Sequence, residues 1–290
     1  MEVNINTKFI TLIGTPLGQS FAARMQNAGY KAAGLNMLYF YSEVGNDHLA
    51  DVINGVRYMP FAGCAVTKPN KVEVMKYLDG YDPLCEKMGS SNTVVKTEDG
   101  KLIGYNTDGY GALRSIKEHV GELTGMTMFA FGAGGAGRSV CFELANAGAK
   151  RLYIADVFQE VREDLCDNIN KFFPGVCVPV AVGDEETIKA GVAESDIVLN
   201  LSGLGMKGKE DKTPVDKSYL LPKHVCFDAT YNPGETRFLR EAKEVGCKTI
   251  INGLEMSLYQ GVRQVELWTG GAARPEDAMR QELLDIIDGK

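Results

Sequence analysis

Residues 132–137 read Gly-Ala-Gly-Gly-Ala-Gly and stand between an apolar run, residues 127–131, and an amphipathic one, residues 138–147; few folds accommodate that arrangement. The spacing is G-x-G-x-x-G. Gly132 permits a tight turn, Gly134 lets a pyrophosphate approach the backbone, and Gly137 allows a helix to pack closely. Ala133, Gly135 and Ala136 fill the loop between them. The helix that follows offers unpaired N–H groups and the positive end of its dipole to a phosphate. Val140, Leu144 and Ala147 fall on one face of it, and Gly148 supplies its stop. Residues 151–155 read as the next strand and end at Asp156, nineteen residues beyond Gly137. That is the layout of a dinucleotide-binding βαβ unit. Further strands over 176–182, 197–201 and 225–229 extend it to a Rossmann domain spanning 109–252. A carboxylate at Asp156 accepts from the ribose hydroxyls of NAD and repels the 2′-phosphate of NADP, so NAD is the favoured cofactor and NADP the second choice. Arg162, six residues on, reads as a solvated helix residue.

The rest of the chain also alternates strand and helix. A strand over 9–13 breaks at Gly14-Thr15-Pro16 and leads to a helical stretch over 25–33, then to strands over 38–44 and 63–66. The last of these stops at Thr67-Lys68-Pro69, and residues 71–78 carry Val74, Met75 and Leu78 at helical spacing. No repeat period is present. Two helical patterns close the chain, over 256–269 and after Pro275 with Met279, Leu283 and Ile287 on one face. The expected architecture is α/β with mostly parallel sheets in two domains. Residues 1–108 form a substrate-binding and catalytic α/β domain, 109–252 the Rossmann domain, and 253–290 helices that return to pack on the first.

Composition narrows the partners. Thirty-one basic against thirty-eight acidic residues leave a net charge of −7, the wrong sign for coating phosphate backbones, so neither nucleic acid nor an anionic membrane is expected. Seven cysteines with no Cys-x-x-Cys argue against a disulfide framework, three scattered histidines give no metal site, and no run is long enough for a membrane span. The N-terminus lacks the features of a signal peptide, and a reducing cytoplasm is the expected compartment.

Three polar clusters sit at turns of the first domain: residues 65–71 with Thr67 and Lys71, residues 89–93 with Asn92, and residues 104–109 with Asp108. Singly each reads as turn chemistry or as function; together they make a candidate polar pocket.

At this point a family resemblance becomes specific. The segments GTPLGQSFA, VTKPNK, GSSNTV, GYNTDGYG and GAGGAG, then Tyr231-Asn232-Pro233 with Thr236, and finally GLEMSLYQ, resemble in order and spacing the shikimate and quinate dehydrogenase family. The likeness runs over nearly the whole chain. It implies a two-domain enzyme that passes hydride reversibly between a ring hydroxyl of a polyhydroxylated ring carboxylate and a nicotinamide cofactor, working as a monomer or homodimer. It implies that Lys71 is the catalytic lysine and Asp108 its partner. Ser20 would meet the substrate carboxylate; Thr67, Asn92 and Gln260 would bind carboxylate or ring hydroxyls, and Tyr39 and Tyr231 would line the pocket. The loop 132–137, Asp156, Ala229 and Gly253 would contact the dinucleotide. An amine beside the alcohol suits the chemistry, because hydride leaves carbon only as the hydroxyl proton departs.

The chain departs from the family pattern in places. It reads Gln19-Ser20-Phe21-Ala22, with glutamine for the usual histidine and no hydroxyl at Ala22, and Ala65 replaces a common asparagine. Ala155-Asp156-Val157 resembles the NAD-using quinate branch rather than the Asn-Arg pair of NADP enzymes. The expected activity is therefore an NAD-dependent quinate/shikimate dehydrogenase. The alternatives are an NADP-dependent shikimate dehydrogenase of the chorismate and aromatic amino-acid pathway and, from another class, a dinucleotide or metabolite sensor on the same fold.

Overall fold

The structure, a computed structural model, describes residues 3–18 and 20–290. Its internal contacts divide the chain into two compact units, one made of the residues up to Thr107 together with Leu258–Lys290, the other of Asp108–Ser257.

The first unit opens with β1 (Lys8–Gly14), α1 (Ala22–Ala32), β2 (Met37–Glu43), α2 (Leu49–Tyr58) and β3 (Phe61–Val66), followed by β4 (Gly80–Tyr81), α3 (Pro83–Met88), β5 (Thr93–Lys96) and β6 (Leu102–Tyr105). The strands lie in the order β2-β1-β3-β5-β6-β4. β2, β1 and β3 are parallel, and β4 is parallel to β6. The sheet is mixed, because β5 runs antiparallel to both β3 and β6. The β5–β6 hairpin turns at Asp99-Gly100, where Gly100 has φ +83°, the left-handed backbone that an Asp-Gly turn supplies. From Ile10 to its end β1 is buried, as expected of a strand covered on both faces. Ile13, Cys64, Val66, Val94 and Leu102 of the sheet pack with Leu49, Ile53 and Val56 of α2. The helix expected over 71–78 is shorter, a single 3₁₀ stretch over Glu73–Tyr77 in which Val74 alone is buried. The residues before it are committed to a turn, with the Asn70 N–H bonded to the Thr67 carbonyl at 2.9 Å.

The second unit runs α4 (Asp108–Val120), β7 (Thr127–Phe131), α5 (Gly135–Asn146), β8 (Arg151–Asp156), α6 (Gln159–Phe172), β9 (Cys177–Ala181), α7 (Glu185–Glu194), β10 (Ile197–Asn200), β11 (Val225–Asp228), α8 (Arg237–Val245) and β12 (Thr249–Ile251). All six strands are parallel, in the order β12-β11-β10-β7-β8-β9. The chain builds outward from β7 to β8 and β9, then crosses to β10 on its other side, which makes the carboxyl ends of β7 and β10 the switch point where such sheets bind ligands. Every residue of β7 is buried. Phe129 and Phe131 stack at 4.6 Å between ring centroids, and Phe129 stacks on Tyr153 at 5.7 Å.

α9 (Leu254–Trp268) starts in the second unit and belongs to the first from Leu258 onward; α10 (Glu276–Ile287) ends the chain. Within the first unit α10 packs on α1, and α9 is bonded to the sheet. The Gln264 side chain donates to Thr93 Oγ1 at 3.0 Å and accepts from Gln26 of α1 at 3.2 Å. The Trp268 indole N–H donates to the Val94 carbonyl at 3.0 Å. Burying the Trp268 and Leu258 side chains stabilises the unit by roughly 1.5–3 kcal/mol each. Among the described residues no helix is long and apolar enough to cross a membrane.

Candidate functional site

In the first unit the polar clusters meet where β1 and β3 end. The Thr67 N–H donates to the Ile13 carbonyl at 2.8 Å, and the turn from Thr67 to Asn70 delivers Lys71, half-buried, directly after it. Lys71 is held by its backbone, since its carbonyl accepts from the Ser91 N–H at 2.8 Å. The next residue, Asn92, is buried. Its Oδ1 accepts from the Thr107 N–H at 2.8 Å and from Thr93 Oγ1 at 2.8 Å. Its Nδ2 donates to Thr107 Oγ1 at 3.0 Å and reaches Gln260 Oε1 of α9 at 3.5 Å. Asn92, Thr107 and Gln260 thus belong to one hydrogen-bonded set, and the Ser91 N–H ties the Lys71 backbone to the residue before Asn92. Asp108 is one peptide bond beyond Thr107 and, itself buried, opens α4 of the second unit.

Ser20 lies in the loop after β1. Its Oγ accepts from the Ala22 N–H at 3.2 Å and its carbonyl accepts from the Tyr41 hydroxyl at 2.8 Å. Gln19 is outside the described residues. Tyr39 is not with these groups. Its ring is in the core, 6.1 Å from Trp268 between centroids, and its hydroxyl has no hydrogen-bond partner among the described residues. Burial raises its pKa well above the usual tyrosine value.

In the second unit the glycine loop has the shape its spacing implies. Gly132 has φ +109°, and a Cβ there would come within 2.6 Å of the Leu201 carbonyl carbon and the Ser202 nitrogen; one on Gly137 would run into the Gly132 carbonyl oxygen. Only glycine fits either place. Gly134 and Gly135 are exposed at the head of the twelve-residue α5, and nothing lies within 4 Å of a Cβ on Gly134. These open N–H groups fit a dinucleotide pyrophosphate. Asp156, at the end of β8, is held by two backbone bonds: Oδ2 accepts from the Ala133 N–H at 2.7 Å and Oδ1 from the Phe158 N–H at 2.9 Å. A carboxylate has about four lone-pair sites, so acceptor capacity remains for a ribose. The backbone of Ala229 bonds the Asn200 carbonyl at 3.0 Å, and the Gly253 N–H bonds the Thr230 carbonyl at 3.1 Å. Gly253 lies against the Ala229 carbonyl, too close for a side chain. Tyr231 stands half-buried in the loop between β11 and α8.

A polar network beside this loop joins Thr236 to residues that no sequence motif marks. Asp228, fully buried at the end of β11, accepts from Thr236 Oγ1 at 2.7 Å, the Thr230 N–H at 2.8 Å and Asn200 Nδ2 at 3.0 Å. Burial raises its carboxyl pKa, and the three hydrogen bonds work against that shift. Asn200 in turn donates to the Leu204 carbonyl at 2.8 Å and accepts from Ser202 Oγ at 2.7 Å. The network fixes the loops after β10 and β11, which border the switch point. Among the described residues no group of His, Cys, Asp or Glu is arranged to hold a metal ion.

Comparison with known proteins identifies the family. Residues 12–94 match the shikimate dehydrogenase substrate-binding domain, and residues 253–284 match the shikimate 5′-dehydrogenase C-terminal domain. A shikimate dehydrogenase (NADP(+)) of Methanococcus aeolicus is 38% identical over 98% of this chain and 100% of its own. The crystal structure of shikimate 5-dehydrogenase from Listeria monocytogenes, in complex with shikimate and NAD, superposes with a TM-score of 0.91 at 35% identity, covering 98% of each chain. The quinate dehydrogenase of Corynebacterium glutamicum in complex with NAD gives 0.87 at 29% identity, over 96% of this chain and 99% of that one. Its relatives make the chain an oxidoreductase that acts on a CH–OH donor with NAD(P). The chain belongs to the shikimate dehydrogenase family.

Proposed function

We propose that this protein is a shikimate dehydrogenase, catalysing reversible oxidation of a ring hydroxyl of shikimate. The observation that carries the reading is the kinship of 38% identity, running end to end, with an enzyme named for shikimate. The quinate-branch activity expected from Asp156 has less support, since the quinate dehydrogenase is the more distant of the relatives compared, at 29% identity. In this reading Lys71 takes the proton of the reacting hydroxyl and returns it in the reverse direction, with Asp108 as its partner. Thr67, Asn92 and Gln260 hydrogen-bond the ring hydroxyls, Ser20 meets the carboxylate, and Tyr231 lines the pocket. A site built to hydrogen-bond hydroxyls rejects analogues that lack them. The loop 132–137 holds the pyrophosphate, and Ala229 and Gly253 bound the rest of the nucleotide site. The nicotinamide nucleotide, when bound, accepts or delivers the hydride.

For the nucleotide, the name of the Methanococcus aeolicus relative supports NADP. One observation favours NAD: the Asp156 carboxylate, fixed by Ala133 and Phe158, would meet a 2′-phosphate as a like charge. Shikimate and quinate, each assayed with NAD and NADP, test all of this together. Turnover is expected with shikimate, and the ratio of kcat/KM for the two nucleotides decides between them. Higher efficiency on quinate would overturn the substrate assignment, and silence in all four assays would overturn the activity.

A further inference from the structure

Resting on the reading of the first unit as the site of a ring carboxylate, we propose that Tyr41 is a further substrate-binding residue. Its hydroxyl, brought in by β2, supplies the second hydroxyl at the carboxylate end that Ala22 does not provide.

α1 begins at Ala22, and its N-cap residue, Phe21, makes no side-chain capping bond. Two of the helix's first N–H groups are instead taken from outside the helix. Ser20 Oγ accepts from Ala22 at 3.2 Å, and the Tyr41 hydroxyl oxygen accepts from Ala23 at 3.0 Å. The same Tyr41 hydroxyl donates to the Ser20 carbonyl at 2.8 Å. Its oxygen therefore lies within hydrogen-bond reach of both residues 20 and 23 and brackets Ala22. The strand register accounts for this: Tyr41 pairs with Leu12, two residues before β1 ends and the loop to Ser20 begins. Tyr39, two residues earlier, is 2% exposed, whereas Tyr41 is 40% exposed and open to a ligand.

A phenol has one proton to give. With no ligand that proton is on a neutral carbonyl. Turning it toward a carboxylate replaces a neutral hydrogen bond with a charge-assisted one, which is about twice as strong. The oxygen need not move for this, because the Ala23 N–H continues to hold it. The first turn of α1 adds the favourable end of a helix dipole to the same place.

The test is Tyr41→Phe, assayed with shikimate and with shikimate methyl ester, which keeps the ring and removes the charge. The KM for shikimate is expected to rise about tenfold or more, with kcat and the nucleotide KM within about twofold of wild type. Efficiency on the ester should change little, and adding Ala22→Ser to the Tyr41→Phe protein should recover most of the loss. Equal losses on acid and ester would assign Tyr41 to holding the loop and overturn the proposal, as would an unchanged KM. A wild-type protein silent on shikimate would instead sink the functional reading and this proposal with it; an active wild type with an unaffected Tyr41→Phe variant would sink this proposal alone.

Discussion

Replacing Asp228 with alanine removes the acceptor shared by three donors inside the second unit, the Thr236 hydroxyl, the Thr230 N–H and the Asn200 amide. A buried donor left unpaired costs about 1–3 kcal/mol. Three such losses are partly offset, because a fully buried carboxylate no longer has to be desolvated; the raised pKa of Asp228 records that cost. The net expectation is a destabilisation of about 3–5 kcal/mol, a large share of the roughly 5–15 kcal/mol that holds a domain together. The single tryptophan, Trp268, lies in the first unit, so a probe inside the second is the direct one. Amide hydrogen exchange over residues 229–239 is such a probe, since Thr230 and Leu239 donate to Asp228 and Thr236 respectively. The variant should lose protection there by two orders of magnitude or more. A pH effect follows from the same group. With its folded pKa above the unfolded value, Asp228 adds stability most fully below the unfolded pKa of 3.8, and that contribution is lost as pH rises through the folded pKa. Protection equal to wild type in Asp228→Ala would refute the reasoning.

Other perturbations have outcomes as definite. Lys71→Ala should lower kcat by about 10²–10⁴-fold, the usual worth of a positioned acid–base group, while calorimetry finds nucleotide affinity unchanged. Asp156→Ala should shift the efficiency ratio toward NADP by relieving a like charge, and an unchanged ratio would remove Asp156 from nucleotide selection. Six of the seven cysteines are buried and Cys247 is half-buried; burial pushes the Cys85 thiol up to about 12. A thiol titration of the native protein with an aromatic disulfide reagent should therefore count one fast-reacting group, rising to seven in denaturant.

The parts of this protein legible in the sequence are those fixed by local backbone chemistry. The glycine loop announces itself because Gly132 and Gly137 occupy positions that a Cβ would block, a restriction that no distant residue relaxes. Other local signals are equally present in the chain. Asp99-Gly100 marks the β5–β6 hairpin, and Asp82-Pro83 with Gly89 marks both ends of α3, where Asp82 caps the Leu84 and Cys85 N–H groups. The remainder depends on sheet register and long-range bonding. Asn92 and Thr107 are fifteen residues apart, Asn92 and Gln260 a further order of magnitude. Asp228 looks like any acid ending an apolar strand until Asn200 and Thr236 are brought to it. Tyr41 differs from Tyr39 in exposure and in its hydroxyl's bonds to Ser20 and Ala23, which periodicity does not reveal.

α9 passes from one unit into the other without a break, and the first unit is built from both ends of the chain. This sets an order of assembly during synthesis. Residues 108–257 form a contiguous block that is synthesised before the last segment of the first unit. Until residues 258–290 follow, the Val94 carbonyl and the Thr93 hydroxyl wait for Trp268 and Gln264, and Gln26 for its partners on α9. The part of the chain made first is thus a part whose packing is completed by the part made last.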